Sequence, residues 1–161
     1  MKRKRHLLLL LFGAVLMSFS ALSLTSCDDD EEIIIFPKEH GVEINAFFDS
    51  NTKDFFRSFA EGKDICFIIN ERSELEKLYK GNNQLPQIDF ETSTLIIGKT
   101  HLSSTGYQVD KQFIKSLDGV NTLTLQLHAE GLYPAFSDLY YWGIYPKLTF
   151  NKLEVKINYN K

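Results

Sequence analysis

The sequence predicts a single α+β domain, mostly antiparallel β with one or two short helices, and three observations carry that prediction. Apolar and polar residues alternate with a period of two at Leu123, Leu125 and Leu127 against Thr122, Thr124, Gln126 and His128. They do so again at Leu153, Val155, Ile157 and Tyr159 against Glu154, Lys156 and Asn158. That period places one face of each strand in a core and the other in water. Asp118-Gly119 stands just ahead of the first alternation and supplies the tight turn of a hairpin. Helical punctuation, by contrast, occurs at two places only, both short.

In chain order, the first segment is Lys2, Arg3, Lys4 and Arg5, then an apolar run from Leu7 to Met17, then small residues up to Cys27. This is the order of a secretory signal peptide. The run is short for a spanning helix, which takes roughly 20 apolar residues, and Ser18, Ser20, Ser23, Thr25 and Ser26 follow closely. Leu24-Thr25-Ser26-Cys27 resembles the lipobox of bacterial lipoproteins, which implies cleavage before Cys27 and acylation of that residue. Two or more acyl chains anchor a protein stably, at about 0.8 kcal/mol per buried methylene. Asp28, Asp29, Asp30, Glu31 and Glu32 then form a block of like charge that stays solvated as a spacer. A Cys followed by such a run also resembles the export signal of surface lipoproteins in the Bacteroidota. That resemblance implies a domain outside the outer membrane, with the periplasmic face as the alternative. Calcium is a poor occupant, because the run lacks spaced oxygen ligands and a turn glycine.

The expected organisation is a lipoprotein signal peptide over residues 1–26, a lipidated acidic tether over 27–37 and one domain over 38–161. Processing would leave 135 residues, enough for a domain that buries about two thirds of the surface of its unfolded chain. The apolar side chains of Ile33-Ile34-Ile35-Phe36-Pro37 are expected to pack on the domain edge. Processing also removes four basic residues and no acidic one, which leaves a net charge of −7. That balance argues against nucleic acid as a partner, since phosphates call for a basic stripe. Cys66 becomes the single free thiol, and Ile65, Phe67, Ile68 and Ile69 around it mark a buried structural cysteine.

Within the domain, Asn51-Thr52-Lys53-Asp54 is expected to cap a short helix that brings Phe55, Phe56 and Phe59 to one face and stops at Gly62. The run from Ile65 to Ile69 has strand length. Ser73-Glu74-Leu75-Glu76 has capping-box spacing and opens a helix with Leu75, Leu78 and Tyr79 on one face and Gly81 as its stop. Residues 81–87, with Asn82, Asn83 and Pro86, form a loop. Leu95-Ile96-Ile97 reads as a central strand apolar on both faces, and Tyr107 to Ile114 as a longer strand.

Phe67-Ile68-Ile69-Asn70, the helix with Leu75, Leu78 and Tyr79, Pro86-Gln87-Ile88-Asp89-Phe90, the Leu95 strand, Thr105-Gly106-Tyr107 and a final strand after Tyr145-Pro146 form an ordered set. Over residues 65–159 this set resembles the PrcB C-terminal domain of bacterial lipoproteins, which is named for a subunit of a surface protease complex. The resemblance implies a noncatalytic role, assisting or stabilising a protein partner. Two features depart from the pattern: Ser103-Ser104-Thr105-Gly106 replaces a glycine-rich turn, and residues 131–145 are richer in aromatics. From the residues themselves, Asp89 would close a turn, Phe90 and Tyr107 would be core, and Gly106 would supply a permissive backbone.

No established catalytic motif occurs and no cofactor motif is present. Of the mature histidines His40, His101 and His128, His101 stands beside Ser103 and Ser104 without an orienting acid marked by spacing, and His128 projects from the polar face of its strand. No metal site is marked. The most unusual segment carries Tyr133, Phe136, Tyr140, Tyr141, Trp142 and Tyr145 within thirteen residues. Buried, these rings are core; exposed, they would anchor a protein interface or stack on sugar faces. Consecutive Tyr140, Tyr141 and Trp142 cannot all point one way in a strand. The expected function is a membrane-anchored, noncatalytic accessory or protein-binding lipoprotein whose partner is an envelope or extracellular protein. A glycan-binding lipoprotein using the aromatic segment, and an enzyme with an unmarked site, are the alternatives.

Overall fold

The computed structural model describes residues 32–160, and no helix among them is long and apolar enough to cross a membrane. Cys27, Asp28, Asp29, Asp30, Glu31 and the signal segment lie outside the described residues. The order is β1 (Ile33–Ile35), α1 (Val42–Asn51), a 3₁₀ turn (Thr52–Phe55), β2 (Ile65–Ile69), α2 (Arg72–Leu78), β3 (Ser93–Leu102), β4 (Thr105–Leu117), β5 (Val120–Tyr133), β6 (Ser137–Pro146) and β7 (Glu154–Tyr159). The strands form a four-stranded sheet, β1-β4-β5-β7, and a three-stranded sheet, β2-β3-β6. All pairings are antiparallel except β5 with β7. The chain is thus an α+β domain with two short helices and mostly antiparallel strands, as the periodicity predicts.

The three-stranded sheet is the middle layer. Its Ile96, Tyr141 and Tyr145 pack with Ile114, Leu123, Leu125 and Leu127 of the four-stranded sheet. On its other face, Leu95, Ile97 and Ile144 pack with Phe48, Phe55, Phe56 and Leu75 of the helical layer. Successive β3 residues therefore enter two different cores, which is why this strand is apolar without alternation. Among the described residues the four-stranded sheet has a packed layer on one face, and its strands alternate accordingly. Asp118 and Gly119 both have positive φ, 52° and 74°, the twist a two-residue hairpin turn requires.

Three boundaries differ from those expected. The first helix lies upstream, and Asn51 and Thr52 end it rather than start it. The Asn51 amide donates to the carbonyl of Phe47 at 2.7 Å and the Thr52 hydroxyl to that of Phe48. Short polar side chains bond backward to a carbonyl as readily as forward to an N–H. Phe55 and Phe56 still reach the core, from the 3₁₀ turn, while Phe59 is left partly exposed. At α2, Glu74 makes the expected reach-back, accepting from Asn70 N–H at 2.9 Å, but Ser73 lies inside the helix and Glu71 is its N-cap. At the third, the domain begins before the expected tether boundary at residue 37. Ile33 to Ile35 pair with Ser116 to Ile114, and Glu32 forms an ion pair with Lys115 at 2.6 Å.

Candidate functional site

β6 carries most of the aromatic segment, and its register against β3 decides where each ring goes. Ile96 faces Gly143, Ile97 faces Trp142 and Gly98 faces Tyr141. Odd-numbered side chains therefore enter the core between the sheets, and even-numbered ones turn toward the helices. Tyr141 is 3% exposed and Tyr145 fully buried, which removes both from the candidate binding surface. Tyr141 needs the space that Gly98 leaves empty, since a Cβ there would overlap its ring. Burial pushes the phenol groups of both tyrosines far up, and Tyr141 pairs with the Cys66 thiol. Burial likewise pushes Cys66 up, against the opposing bond to Tyr141, so this thiol is a packed group.

The other four rings divide again. Trp142 stacks on Phe48 at 4.7 Å between centroids, and its Nε1–H donates to Asp49 at 3.1 Å, which fixes the indole against α1. Tyr140 is half exposed and touches Phe56 at 5.7 Å. Tyr133 and Phe136 stand out into solvent at 69% and 77% exposure. Tyr140 and Trp142 do not stack on each other, so none of the aromatic residues from Tyr140 to Tyr145 forms the exposed coplanar pair that a sugar platform calls for.

β6 is an edge strand, and its backbone supplies the second half of the site. The carbonyl of Trp142 accepts from the Gln112 side chain and that of Ile144 from Lys38 N–H at 2.7 Å, both away from β3. Because antiparallel pairing alternates residue by residue, the N–H and C=O of Tyr140 lie on the same free edge. Facing it is the stretch of β4 that β1 does not reach, since β1 pairs only with Ile114 to Ser116. Between these two edges runs a groove of about 650 Å3, bounded by Tyr107, Asp110 and Gln112 on one side and by Leu139, Tyr140 and Trp142 on the other. Phe36 and Pro37 close one end, where the chain crosses from β4 toward β6. Phe36 is held there by Phe113 at 5.9 Å and by the Lys111 ammonium at 5.1 Å.

At the far end of β6, Asp138 gathers the polar groups. Lys99 is 2% exposed, and its ammonium donates to Asp138 Oδ2 and to the Ala60 carbonyl, each at 3.0 Å. His101 Nδ1 lies 2.9 Å from Asp138 Oδ1, and its ring is stacked on Phe136 at 5.3 Å. Burial pushes the Asp138 carboxyl up, but its bonds to His101 and Lys99 outweigh that and hold it below the ordinary carboxylate range. The sequence drew His101 toward Ser103 and Ser104; the structure pairs it with an acid 37 residues away. No hydrogen bond joins His101 to either serine among the described residues, and no cluster of three His, Cys, Asp or Glu side chains is arranged to hold a metal there.

The positions singled out for architecture keep structural roles. Asp89 accepts from Glu91 N–H at 3.0 Å and from the Thr92 hydroxyl at 2.7 Å, closing its turn. Phe90 packs at the rim of the helical core, and Tyr107 rests on Tyr159 at 5.1 Å. Gly106 has φ 88°, and a Cβ there would overlap the carbonyl of Gly131 across the hairpin. What sequence reasoning missed was the free edge of β6, because an open edge is defined by which strand fails to arrive. Compared with protein-family profiles, curated proteins and solved structures, the chain matches none.

Proposed function

We propose that this chain is a membrane-anchored, noncatalytic protein-binding lipoprotein that holds an extended segment of an envelope or extracellular partner along the free edge of β6. The observation that carries this reading is the groove between two unpaired strand edges, with the Tyr140 backbone on one wall and β4 residues 107–112 facing it. An extended peptide adds to such an edge through main-chain hydrogen bonds, and side chains beside it supply selectivity. Tyr140 and Trp142 are the anchors here, and Asp49, Asp110 and Lys111 give the groove a margin of mixed charge. The resemblance to the PrcB C-terminal domain supports the same reading, as it implies assistance to a protein partner. The lipobox at Cys27 and the acidic run behind it support anchoring at the outer surface of the outer membrane.

Capture of the tagged protein from intact cells tests this, comparing wild type with Tyr140→Pro. Proline removes the free N–H of an edge strand and is tolerated there. A protein recovered with wild type and lost with Tyr140→Pro, at similar thermal stability of the two, is the expected result. Equal recovery with both variants overturns the strand-addition mode, and recovery of no specific protein overturns the function. Protease treatment of whole cells settles the side of the membrane, since a surface domain is digested and a periplasmic one is protected.

A further inference from the structure

Among the described residues, the four-stranded sheet packs one face on the core and has no layer over the other. On that face Ile34, Phe113, Leu117 and Val120 border a shallow concavity of about 560 Å3, together with Lys115 and Lys156. Ile34 and Val120 are each about half exposed there, and Phe113 and Leu117 are partly exposed beside them, an apolar grouping on a surface in water. We infer that this face rests on the phospholipid surface that holds the anchor.

The inference rests on lipidation of Cys27, and the position of the tether gives it direction. β1 runs antiparallel to β4 with Ile33 opposite Ser116, so the chain enters the domain at the corner formed by Ile33 and the Asp118-Gly119 turn. Five residue steps separate Cys27 from Glu32, and an extended chain covers at most about 18 Å in that span. An acyl anchor at that distance keeps the bilayer at high effective concentration beside the corner, so weak contacts suffice to hold the face down. The chemistry of the face suits headgroups. Its apolar side chains reach the acyl boundary, while Lys156 offers an ammonium group to phosphate beside Lys115, whose own ammonium is held by Glu32 at 2.6 Å. Asp118 lines the same concavity and Glu154 stands opposite Thr122 on this face, so its charges are of both signs. Burial of apolar side chains therefore leads, and net charge follows. The Tyr107 end of β4, which borders the β6 groove, lies nine residues from Ser116, about 30 Å along the strand. Contact at the tether corner thus leaves the groove open to a partner.

The test places a nitroxide on Val120→Cys, Thr122→Cys or Phe136→Cys in the full lipidated protein carrying Cys66→Ser, reconstituted in phosphatidylethanolamine and phosphatidylglycerol vesicles. On moving from detergent to vesicles, labels at Val120 and Thr122 should lose several-fold of their collision rate with a water-soluble nickel chelate and gain collisions with oxygen. The Phe136 label should not change. Equal aqueous access at all three positions overturns the inference, as does protection at Thr122 that is already present in detergent and grows with protein concentration, the mark of a second copy. Mass spectrometry of the same sample separates the two levels. An unmodified Cys27 overturns the anchoring itself, whereas a lipidated chain with a water-exposed Thr122 overturns only the docking.

Discussion

Among the described residues, the three-stranded sheet is packed on both faces and the four-stranded sheet on one, and the difference shows in the side chains of their central strands. In β3, Ile96 is fully buried between the sheets and Ile97 fully buried under the helices. In β5, Leu123 is fully buried while Thr122 beside it faces outward, half covered. A strand between two cores has no spare face on which to carry an interaction. Only its edge remains available, and that is where the β6 groove lies. The one-sided sheet keeps a free face, and it is this sheet that takes up the start of the described chain through β1.

The largest expected effects test that contrast directly. Ile96→Ala and Ile97→Ala should each cost about 2 to 5 kcal/mol, because both leave cavities in closed cores. Leu123→Ala should cost a similar amount. Urea unfolding at constant m-value measures all three, and a loss at Ile97 far below that at Ile96 would show that the helical layer does not seal its face of the sheet. Gly106→Ala should come next, at about 2 kcal/mol, since it places a side chain at φ 88° and against the Gly131 carbonyl. That cost falls in the sheet with the open face, so it measures hairpin geometry apart from layering.

A pH-dependent effect follows. The Asp138 carboxylate, 13% exposed, has its pKa lowered by His101 and Lys99 below the ordinary 3.8 despite the opposing effect of burial. A group with a depressed folded pKa contributes stability above its unfolded pKa and loses it as pH falls through the folded value. The melting-temperature gap between wild type and Asp138→Asn should therefore be full at pH 7 and narrow below about pH 4. A gap that stays constant to pH 2 would mean the ion pairs add nothing. The smallest effect belongs to Thr122→Ala, which should stay within about 0.5 kcal/mol as a surface substitution. A cost there comparable with Leu123→Ala would mean that the outer face is covered even without a membrane.

Much of this architecture was readable from local pattern. The Asp118-Gly119 hairpin, the inward Leu123, Leu125 and Leu127, and the two-faced Leu95-Ile96-Ile97 strand appear where their periods put them. Cys66 packs against the core between the sheets but is only partly buried, short of the full burial its apolar neighbours suggest. The first helix was misplaced because Asn51 and Thr52 bond backward, and a side chain that can serve either end of a helix carries no direction.

The sequence by itself determined the period of each strand, the tight turn, the α+β class and the expectation of an anchor at Cys27, since each depends on residues close together in the chain. The tertiary structure alone decided which aromatic rings are exposed, that β7 runs parallel to β5, that His101 meets Asp138, and that β6 ends its sheet with a free edge. Alternation states that neighbouring side chains point opposite ways; only the register with β3 says which way is inward. A groove likewise forms where two strands remain apart, and that separation is set by β1, Lys38 and Gln112 arriving from distant parts of the chain.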